Sequence, residues 1–456
     1  MLAVLLGVSG MGVYSQFTNL VSLLNFVVPL GLPFSLTKFI SEKENIPEEE
    51  RNKLLSGSLM VIIATSVLVS LALIIFASDI SYLLTNSRDY RDLVVIISIL
   101  IPFSFVVSLF EALVRGLRKL NLLTKLLITS SLVSTVIAIV FVWMWGLAGA
   151  VTSIAAGSVA MLILYLIVFG KAGLIRISKN NFSVDKKLIM GYFKLGLASL
   201  AIGAINQISY LVVRTIAIDN LGINANGIYQ SVLGISLNYF TLLFVLISNY
   251  TLPKLNAFRE DGEFRKEINE TFRIFNFALT PLVCSVIVCR FLIVTVLYSD
   301  EFLAATDLYK YQFPGDFFKV LAWISGLWII PKNKIRLWLS LELVTFTIYP
   351  LLSFILLNKL GMSLEAISVS YLISNTLHFL MNVYFLRKNI RFSLTIENRK
   401  MLLLSLVLIP LIIVISEYSL VAGYFAILPI LAIWFITVAN KEEKFMLRRF
   451  IKGNAV

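Results

Sequence analysis

The chain contains very few of the residues that build catalytic and metal sites: one histidine and two cysteines occur among 456 residues. Cys284 and Cys289 share one apolar segment with no histidine beside them, so they predict neither a disulfide framework nor a zinc site. No G-x-x-x-x-G-K-S/T sequence is present to hold a nucleotide, and no Ser/His/Asp set or carboxylate pair can be argued from spacing. The single His378 lies in an apolar segment, where packing is a commoner role than proton relay. We therefore expect no enzyme, no cofactor and no metal.

Charged residues are also scarce, at 14% of the chain, whereas hydrophobic residues make up 59% and the mean hydropathy is +0.90. Soluble proteins carry about 25% charged residues, so this composition indicates an integral membrane protein. Apolar stretches long enough to cross a bilayer recur along the whole chain. We expect thirteen spans, near residues 15–40, 54–77, 92–113, 122–144, 147–170, 191–218, 227–252, 271–298, 308–330, 335–357, 363–386, 401–416 and 421–439. No connecting loop is long enough to form a soluble domain.

The net charge of +13 is unevenly distributed. Lys and Arg concentrate in alternate loops, such as 38–53, 115–125 and 171–194, whereas loops 219–226 and 299–307 contain none. In membrane proteins, short loops rich in Lys and Arg face the cytoplasm. The basic charge therefore indicates the topology of the chain, and it requires no nucleic-acid partner.

A nine-residue motif occurs twice. Residues 6–14 read LGVSGMGVY and residues 221–229 read LGINANGIY, an offset of 215 positions. Long internal repeats are typical of secondary transporters, so the motif predicts a duplicated structure. A full apolar span precedes the second copy, but only five residues precede the first. We therefore expect a further helix upstream, with a native start about 25 residues before Met1.

The duplication and the topology together predict an all-α polytopic fold of two six-helix lobes plus a C-terminal helix pair. We expect residues 1–170 to form the first lobe with its first helix largely missing, and residues 171–190 to form a cytoplasmic linker. Residues 191–388 form the second lobe, and residues 389–456 form an extra transmembrane hairpin with a basic tail. Because each repeat has an even number of spans, a pseudo-two-fold axis along the membrane normal relates the lobes, with a cavity between them.

Polar side chains recur at helical spacing inside four spans, where a buried charge costs at least about 2.5 kcal/mol and usually faces a cavity. These residues are Gln207, Tyr210 and Arg214; Gln230, Gly234, Asn238 and Thr241; Asn276 and Arg290; and Gln312, Asp316 and Lys319. Structural roles stay open for them, because interhelical hydrogen bonds also produce such stripes. Arg214 has the alternative of snorkelling to the interface, and Asp316 and Lys319 that of forming an ion pair.

A water-filled lumen in the second lobe is the alternative interpretation of the same stripes. Basic groups at membrane depth outnumber Asp316, so such a lumen favours an anionic cargo, and an arginine fork matches phosphate well. Lys38 belongs to the first lobe, where a cytoplasmic flank is its structural alternative. The candidate substrate-binding residues are Arg214, Arg290, Lys319, Asp316, Lys38, Gln207, Gln230 and Asn238.

Several motifs, taken in their order and spacing, resemble one branch of a transporter superfamily. They are LGLPFSLTKFISE at 30–42, ALVRGLR at 112–118, NGIYQ at 226–230, LYSDEF at 297–302 and YQFPGDFFKV at 311–320. They resemble the Wzx-type translocases of O-antigen and enterobacterial common antigen, in the multidrug/oligosaccharidyl-lipid/polysaccharide (MOP) superfamily. The resemblance runs from residue 1 to about residue 388, and the hairpin beyond it resembles that of the fourteen-span lipid II flippases.

The resemblance implies a MATE/flippase-like fold and a transport function. It implies flipping of undecaprenyl-diphosphate-linked oligosaccharide, an O-antigen-type repeat unit, across the bacterial inner membrane by alternating access. The implied partners are the lipid-linked glycan and the bilayer, with an O-antigen polymerase and a chain-length regulator as candidates. Rival functions are a lipid II-type flippase, a multidrug/cation antiporter, a membrane glycan polymerase or ligase, and a structural membrane protein. A cationic cargo favours an acidic lumen, and a polymerase favours a large external loop, which this chain lacks.

Overall fold

The computed structural model describes residues 2–42, 47–171 and 186–439, and all regular elements within these ranges are helical. In a bilayer a helix satisfies all its backbone hydrogen bonds internally, which is why the long apolar segments fold in this way. The prediction of an all-α membrane protein is confirmed. The helices are α1 (Leu2–Val27), α2 (Leu32–Glu42), α3 (Glu48–Ile75), α4 (Ala77–Thr85), α5 (Arg91–Gly116), α6 (Leu120–Lys171), α7 (Lys186–Leu221), α8 (Ile223–Ala257), α9 (Asp261–Val288), α10 (Arg290–Leu297), α11 (Thr306–Gly326), α12 (Ile335–Phe354), α13 (Glu365–Ile390), α14 (Ile396–Tyr418) and α15 (Leu420–Val438).

Eight helices in the described ranges are long and apolar enough to cross a membrane, or nine if the bent pair of α1 and α2 is one span. That pair bends by 50° between its two parts. The helix α6 runs for 52 residues but breaks at Gly146, whose φ is 54° and ψ is −130°. It therefore covers two of the predicted spans, 122–144 and 147–170.

The backbone repeats itself at the offset of the sequence motif. Residues with positive φ occur in pairs that are 215 positions apart. Gly7 has φ 65° and Gly222 has φ 83°. The same offset separates Gly146 from Gly361, with φ values of 54° and 63°. It also separates Arg118 from Asn333, both at φ 55°. Since these sites end or interrupt helices, the duplication predicted from nine residues extends through most of the chain.

The helix starts follow the same offset. The helices α5 and α11 begin at residues 91 and 306, and α6 and α12 begin at residues 120 and 335. In the first copy, however, residues 28–31 form turns between α1 and α2, whereas α8 is continuous over the equivalent stretch. Pro29 lies within the turns and Pro33 is the second residue of α2, and proline cannot donate the backbone hydrogen bond that a helix interior needs.

The chain separates into two compact units, residues 1–227 and residues 228–456. The first contains α1 to α7, and its core is rich in aromatic rings such as Phe17, Phe105 and Tyr165. The helix α7 lies in this unit because it packs against α1, α2 and α4, although the sequence analysis begins the second lobe at residue 191. Residues 172–185 of the predicted linker lie outside the described residues, as does the basic tail after residue 439.

The two copies of the repeated motif meet inside the first unit. A Cβ added to Gly227 would lie 1.9 Å from the carbonyl oxygen of Val8, and one added to Gly12 would lie 2.3 Å from that of Ile223. The crossing is also hydrogen-bonded, since Asn226 Nδ2 donates to the Gly12 carbonyl at 2.7 Å. Small residues at a helix crossing let two backbones approach closely. The glycines that recur in both copies of the motif thus allow the backbones of the two copies to touch.

The C-terminal hairpin of α14 and α15 packs against α9 in the second unit. Thr280 shares hydrogen bonds with Asn276 on its own helix and with Ser405 on α14, the latter at 2.8 Å. The indole of Trp434 on α15 donates to the carbonyl of Phe277 at 3.1 Å. Polar groups at membrane depth therefore hold the hairpin in place.

Candidate transport site in the second unit

The predicted substrate-binding residues differ in their burial and in their neighbours. Arg214 is buried in the first unit, where its Nη1 donates to the carbonyl of Ser15 at 2.8 Å. Gln207 and Gln230 are half-buried, while Lys38 and Asn238 are exposed. The roles of these residues in cargo binding stay predictions.

Arg290 is buried and has an acidic partner on α14. Its Nη2 lies 2.7 Å from Glu417 Oε1 on α14, and its Nη1 donates to Ser416 Oγ at 3.0 Å. Lys310 on α11 approaches the same Glu417 at 3.3 Å and Glu365 on α13 at 3.3 Å. A charged cluster thus joins the hairpin to α11 and α13 at the end that the topology predicts to be periplasmic.

The face that Asn276 shares with Arg290 therefore contacts α14 rather than a lumen. The helical spacing correctly placed the two residues on one side of their segment. A helix buried on several sides offers polar side chains to more than one neighbour, and only the packing decides which neighbour receives them. For these two residues the interpretation as interhelical hydrogen bonding fits the structure.

Three other helices of the second unit carry polar and aromatic residues along one face each. On α11 they are Gln312, Asp316, Lys319 and Trp323; on α12 they are Trp338, Glu342, Thr345 and Tyr349; on α13 they are Ser368, Tyr371, Asn375, His378 and Asn382. Each series advances by three or four residues, which is the spacing of one helical face. The helices α11, α12 and α13 are packed side by side, and we call this set of residues the polar column.

Asp316 lies in the middle of the polar column and is buried. Its Oδ1 accepts a hydrogen bond from the hydroxyl of Tyr371 at 2.8 Å. The ring of Tyr371 packs edge-on against Tyr349, with 5.7 Å between centroids, and the hydroxyl of Tyr349 is hydrogen-bonded to that of Tyr229 on α8. A carboxylate at this depth is thus embedded in a connected set of phenols, which stabilises it away from water.

The outer part of the column is formed by Gln312. Its Nε2 donates to Ser236 Oγ on α8 at 3.3 Å, and its Oε1 accepts from Ser368 on α13 at 3.3 Å. Both hydroxyl groups belong to buried residues. Gln312 therefore links α8, α11 and α13 through one amide group, and the polar stripe predicted on α11 lies at the centre of the second unit.

Lys319 lies one helical turn further along α11 than Asp316. Its Nζ is 5.6 Å from the ring centroid of Tyr371 and 5.8 Å from that of Phe244, distances at which a cation is attracted to an aromatic ring. The ammonium group also interacts electrostatically with the carboxylates of Asp316 and Glu342. The ion pair of Lys319 with Asp316 stays a prediction, and Glu342 is a second carboxylate on which the ammonium charge acts.

A pocket opens beside Lys319, toward the end predicted to be cytoplasmic. Its wall includes Trp323, Trp338, Glu342, His378 and Asn382, and it contains about 430 Å³ of space, part of it open to solvent. We call it the tryptophan pocket. His378, which the sequence predicts to be a packed residue, lines this pocket. The two tryptophans were not among the predicted site residues, although their spacing on α11 and α12, four residues from Lys319 and from Glu342, was a signal for them.

The column and the pocket offer groups that suit the binding of a ligand. The column combines one ammonium group, two carboxylates, phenols and amides with aromatic surface, as ligand sites commonly do. Among the residues that the structure describes, no group of three or more His, Cys, Asp or Glu could hold a metal ion. A site of this composition can recognise a polar, partly charged ligand.

Comparisons with known proteins are consistent with this chemistry. Residues 1–256 match the family described as "Polysaccharide biosynthesis protein". The chain is 26% identical over 348 residues to the lipid III flippase of Escherichia coli (strain K12), covering 76% of this chain and 83% of that protein. An identical degree of similarity is found with the lipid III flippase of Shigella flexneri.

Two solved structures show the fold. One is an inward-facing MATE family multidrug-resistance transporter of the MOP superfamily, with TM-score 0.74 and 12% identity, covering 84% of this chain and 93% of that one. Another is the lipid II flippase MurJ in an inward closed conformation, with TM-score 0.68 and 15% identity, covering 94% of this chain and 97% of that one. The family match covers more than half of the chain, and it leads to one conclusion: the chain belongs to the polysaccharide biosynthesis protein family.

Proposed function

We propose that this protein flips an undecaprenyl-diphosphate-linked oligosaccharide of the O-antigen type from the cytoplasmic to the periplasmic leaflet of the bacterial inner membrane. The similarity to lipid III flippases supports a lipid-linked cargo. The observation that carries the proposal is the position of Lys319, a basic side chain at membrane depth next to a pocket with polar and aromatic walls. A diphosphate needs such a cation, because desolvating its charges without a partner is very costly.

Arg214 and Arg290, the other two basic residues that we expect at membrane depth, have structural roles in this proposal. Arg214 is hydrogen-bonded to Ser15, and Arg290 is ion-paired with Glu417. Both arginines therefore hold helices together in this conformation, and Lys319 becomes the main candidate for contacting the diphosphate. The cargo enters by alternating access, with its polyprenyl tail remaining in the lipid.

A cation antiporter of the same superfamily is the second candidate function. The observation in its favour is that Asp316 and Glu342, two carboxylates, accompany the single Lys319 in the polar column. An acidic site would attract a cationic cargo, and the fold is shared with a multidrug transporter. The lipid II-type flippase is a variant of the first function with a different glycan.

The test is a flipping assay on purified protein in proteoliposomes that contain undecaprenyl-diphosphate-linked oligosaccharide. Flipping is measured as the gain in the fraction of glycan that an added, membrane-impermeant glycosidase can cleave. We expect activity from the wild type, a loss of at least about tenfold for Lys319→Ala, and partial activity for Lys319→Arg because the charge is kept. The matched control is Lys332→Ala, whose ammonium pairs with Asp261 outside the column.

Two results would contradict the proposal. The first is a wild-type protein that is well folded but leaves the lipid-linked glycan on its original side. The second is normal flipping by Lys319→Ala, which would remove the lysine from the mechanism. Uptake of a fluorescent organic cation, driven by an ion gradient in the same vesicles, would instead support the antiporter.

A further inference from the structure

The tryptophan pocket is distinct from the charged groups that the proposed function uses. It lies at one end of the polar column, between the last turns of α11 and the first turns of α12, and it opens to solvent. Its wall combines two kinds of surface. Trp323 and Trp338 supply aromatic surface, and Glu342, His378 and Asn382 supply polar groups. A pocket with both kinds of surface can select its ligand more narrowly than a purely apolar groove or a charged patch can.

The hydrogen-bonding edges of the two indoles already have protein partners. The N–H group of Trp323 donates to Ser248 Oγ at 3.3 Å, and that of Trp338 donates to Glu342 Oε1 at 3.1 Å. Both rings are only half-buried, so part of each apolar surface remains accessible. An indole fixed by its N–H and open on its face is suited to packing against the C–H groups of a flat, polar molecule.

The polar groups offer acceptors around those faces. Glu342 and Asn382 are almost fully buried and have side-chain oxygens near the cavity, and the Asn382 amide already donates to the carbonyl of His378 at 2.9 Å. Gly326 keeps this part of the wall open, because a Cβ there would lie 2.9 Å from Asn382 Oδ1. Hydroxyl groups of a ligand can therefore donate to oxygens that the protein holds in fixed positions.

Anchoring in the bilayer interface is the ordinary explanation for tryptophan near a helix end. It fits Trp143, whose side chain is 84% exposed in the first unit. It fits Trp323 and Trp338 poorly, because these lie on the faces of α11 and α12 that also carry Asp316 and Glu342. Those faces are directed into the unit, where aromatic surface serves a ligand rather than the lipid.

We infer that the tryptophan pocket binds one sugar ring of the cargo's glycan, stacked on an indole and hydrogen-bonded to Glu342 and Asn382. The pocket is small and partly open to solvent, so one ring of the glycan can lie against its wall while the rest of the oligosaccharide stays outside. This inference rests on the proposed function and adds the part of the substrate that the second unit recognises. Lys319, beside the pocket, then contacts the phosphate to which that glycan is attached.

The test measures binding of two lipids to the purified protein in nanodiscs: undecaprenyl diphosphate that carries one pyranose, and undecaprenyl diphosphate without sugar. We expect the wild type to prefer the glycosylated lipid by about tenfold, which corresponds to about 1.4 kcal/mol. Trp323→Ala should abolish this preference while leaving binding of the bare lipid unchanged, and Trp323→Phe should retain most of it. Trp143→Ala is the matched control and should bind like the wild type.

Gly326→Ala provides a second variant that removes no protein contact. Its methyl group would lie 2.9 Å from Oδ1 at the end of the flexible Asn382 side chain and at ordinary contact distance from Ile329, so the fold should tolerate it while the pocket narrows. We expect the sugar preference to fall in this variant as well. An unchanged preference in Trp323→Ala or in Gly326→Ala would overturn the inference. So would an equal loss of affinity for both lipids in both variants, which would indicate a structural effect.

The outcomes also separate the inference from the proposed function. A wild type that flips the lipid-linked oligosaccharide but shows no preference for the glycosylated lipid would refute the sugar site alone. A wild type that flips no lipid-linked glycan would refute the proposed function, whatever the pocket binds.

Discussion

The contact between the two copies of the repeated motif predicts that Gly227→Ala destabilises the first unit strongly. The new Cβ would lie 1.9 Å from the carbonyl oxygen of Val8, whereas a carbon and a carbonyl oxygen in contact are about 3.3 Å apart or more. The two backbones would have to separate by about 1.4 Å, and the obstructing atom belongs to a helix rather than to a flexible side chain.

This separation would also disturb the hydrogen bonds at the crossing. Asn226 Nδ2 donates to the Gly12 carbonyl at 2.7 Å and to Ser15 Oγ at 2.9 Å, and both distances would lengthen. Overpacking alone costs about 1–3 kcal/mol, and each buried hydrogen bond adds about 1 kcal/mol. We therefore expect a loss of at least about 3 kcal/mol in the free energy of unfolding.

The measurement is thermal unfolding of the purified protein in detergent, with Gly170→Ala as the matched control. Gly170 is also a helical glycine, but no atom lies within 4 Å of a Cβ added there. Alanine should stabilise that position slightly, by about 0.5–1 kcal/mol, because it is the better helix former. A Gly227→Ala protein with the thermal stability of Gly170→Ala would refute the close crossing.

Three further predictions concern other parts of the molecule. Glu417→Gln leaves the buried guanidinium of Arg290 without its carboxylate, and we expect a loss of about 1.5–3 kcal/mol in chemical unfolding; unchanged stability would show that the pair does not hold the hairpin. Gly146→Ala and Gly361→Ala place a side chain on a backbone with positive φ, so each should cost about 1–3 kcal/mol in chemical unfolding, and unchanged stability of either variant would contradict the positive φ at that position. A cysteine replacing Ser178 should react with an impermeant thiol reagent only after the inner membrane is opened, and labelling in intact spheroplasts would invert the predicted topology.

Hydropathy was sufficient to recognise the fold class, because the bilayer imposes the same requirement on each span. The break at Gly146 was also placed correctly, between the predicted spans 122–144 and 147–170. Two nine-residue segments with four identical residues indicated a duplication. Glycine is needed wherever φ is positive or backbones touch, and Gly7, Gly12, Gly222 and Gly227 are such positions.

The neighbours of each polar face were harder to predict than the faces themselves. Periodicity places Asn276 and Arg290 on one side of their segment, but it contains no information about which helix packs there. In the structure that neighbour is α14, which supplies Ser405 and Glu417. The hairpin follows α9 by more than a hundred residues, so a local pattern could not reveal the pairing.

The tryptophan pocket was missed for a different reason. Selecting residues by polarity led to Asp316 and Lys319 but left out Trp323 and Trp338, because an indole counts as apolar in a hydropathy plot. The spacing of Trp338 and Glu342, four residues apart, contained the signal. On α8 the same selection pointed to Asn238, which is exposed, whereas the column receives Tyr229 and Ser236 from that helix.

The break between α1 and α2 gives the two copies of the repeat different flexibility. Leu30 and Gly31 have φ values of 53° and 72°, so this backbone has already left the helical hydrogen-bond ladder. Changing the angle between the two segments needs only local torsion at residues 28–31. The same change in α8, which is continuous over the equivalent residues, would require breaking hydrogen bonds inside an apolar environment. One copy of the repeat therefore has a hinge at residues 28–31, whereas the equivalent stretch of α8 in the other copy is a rigid helix.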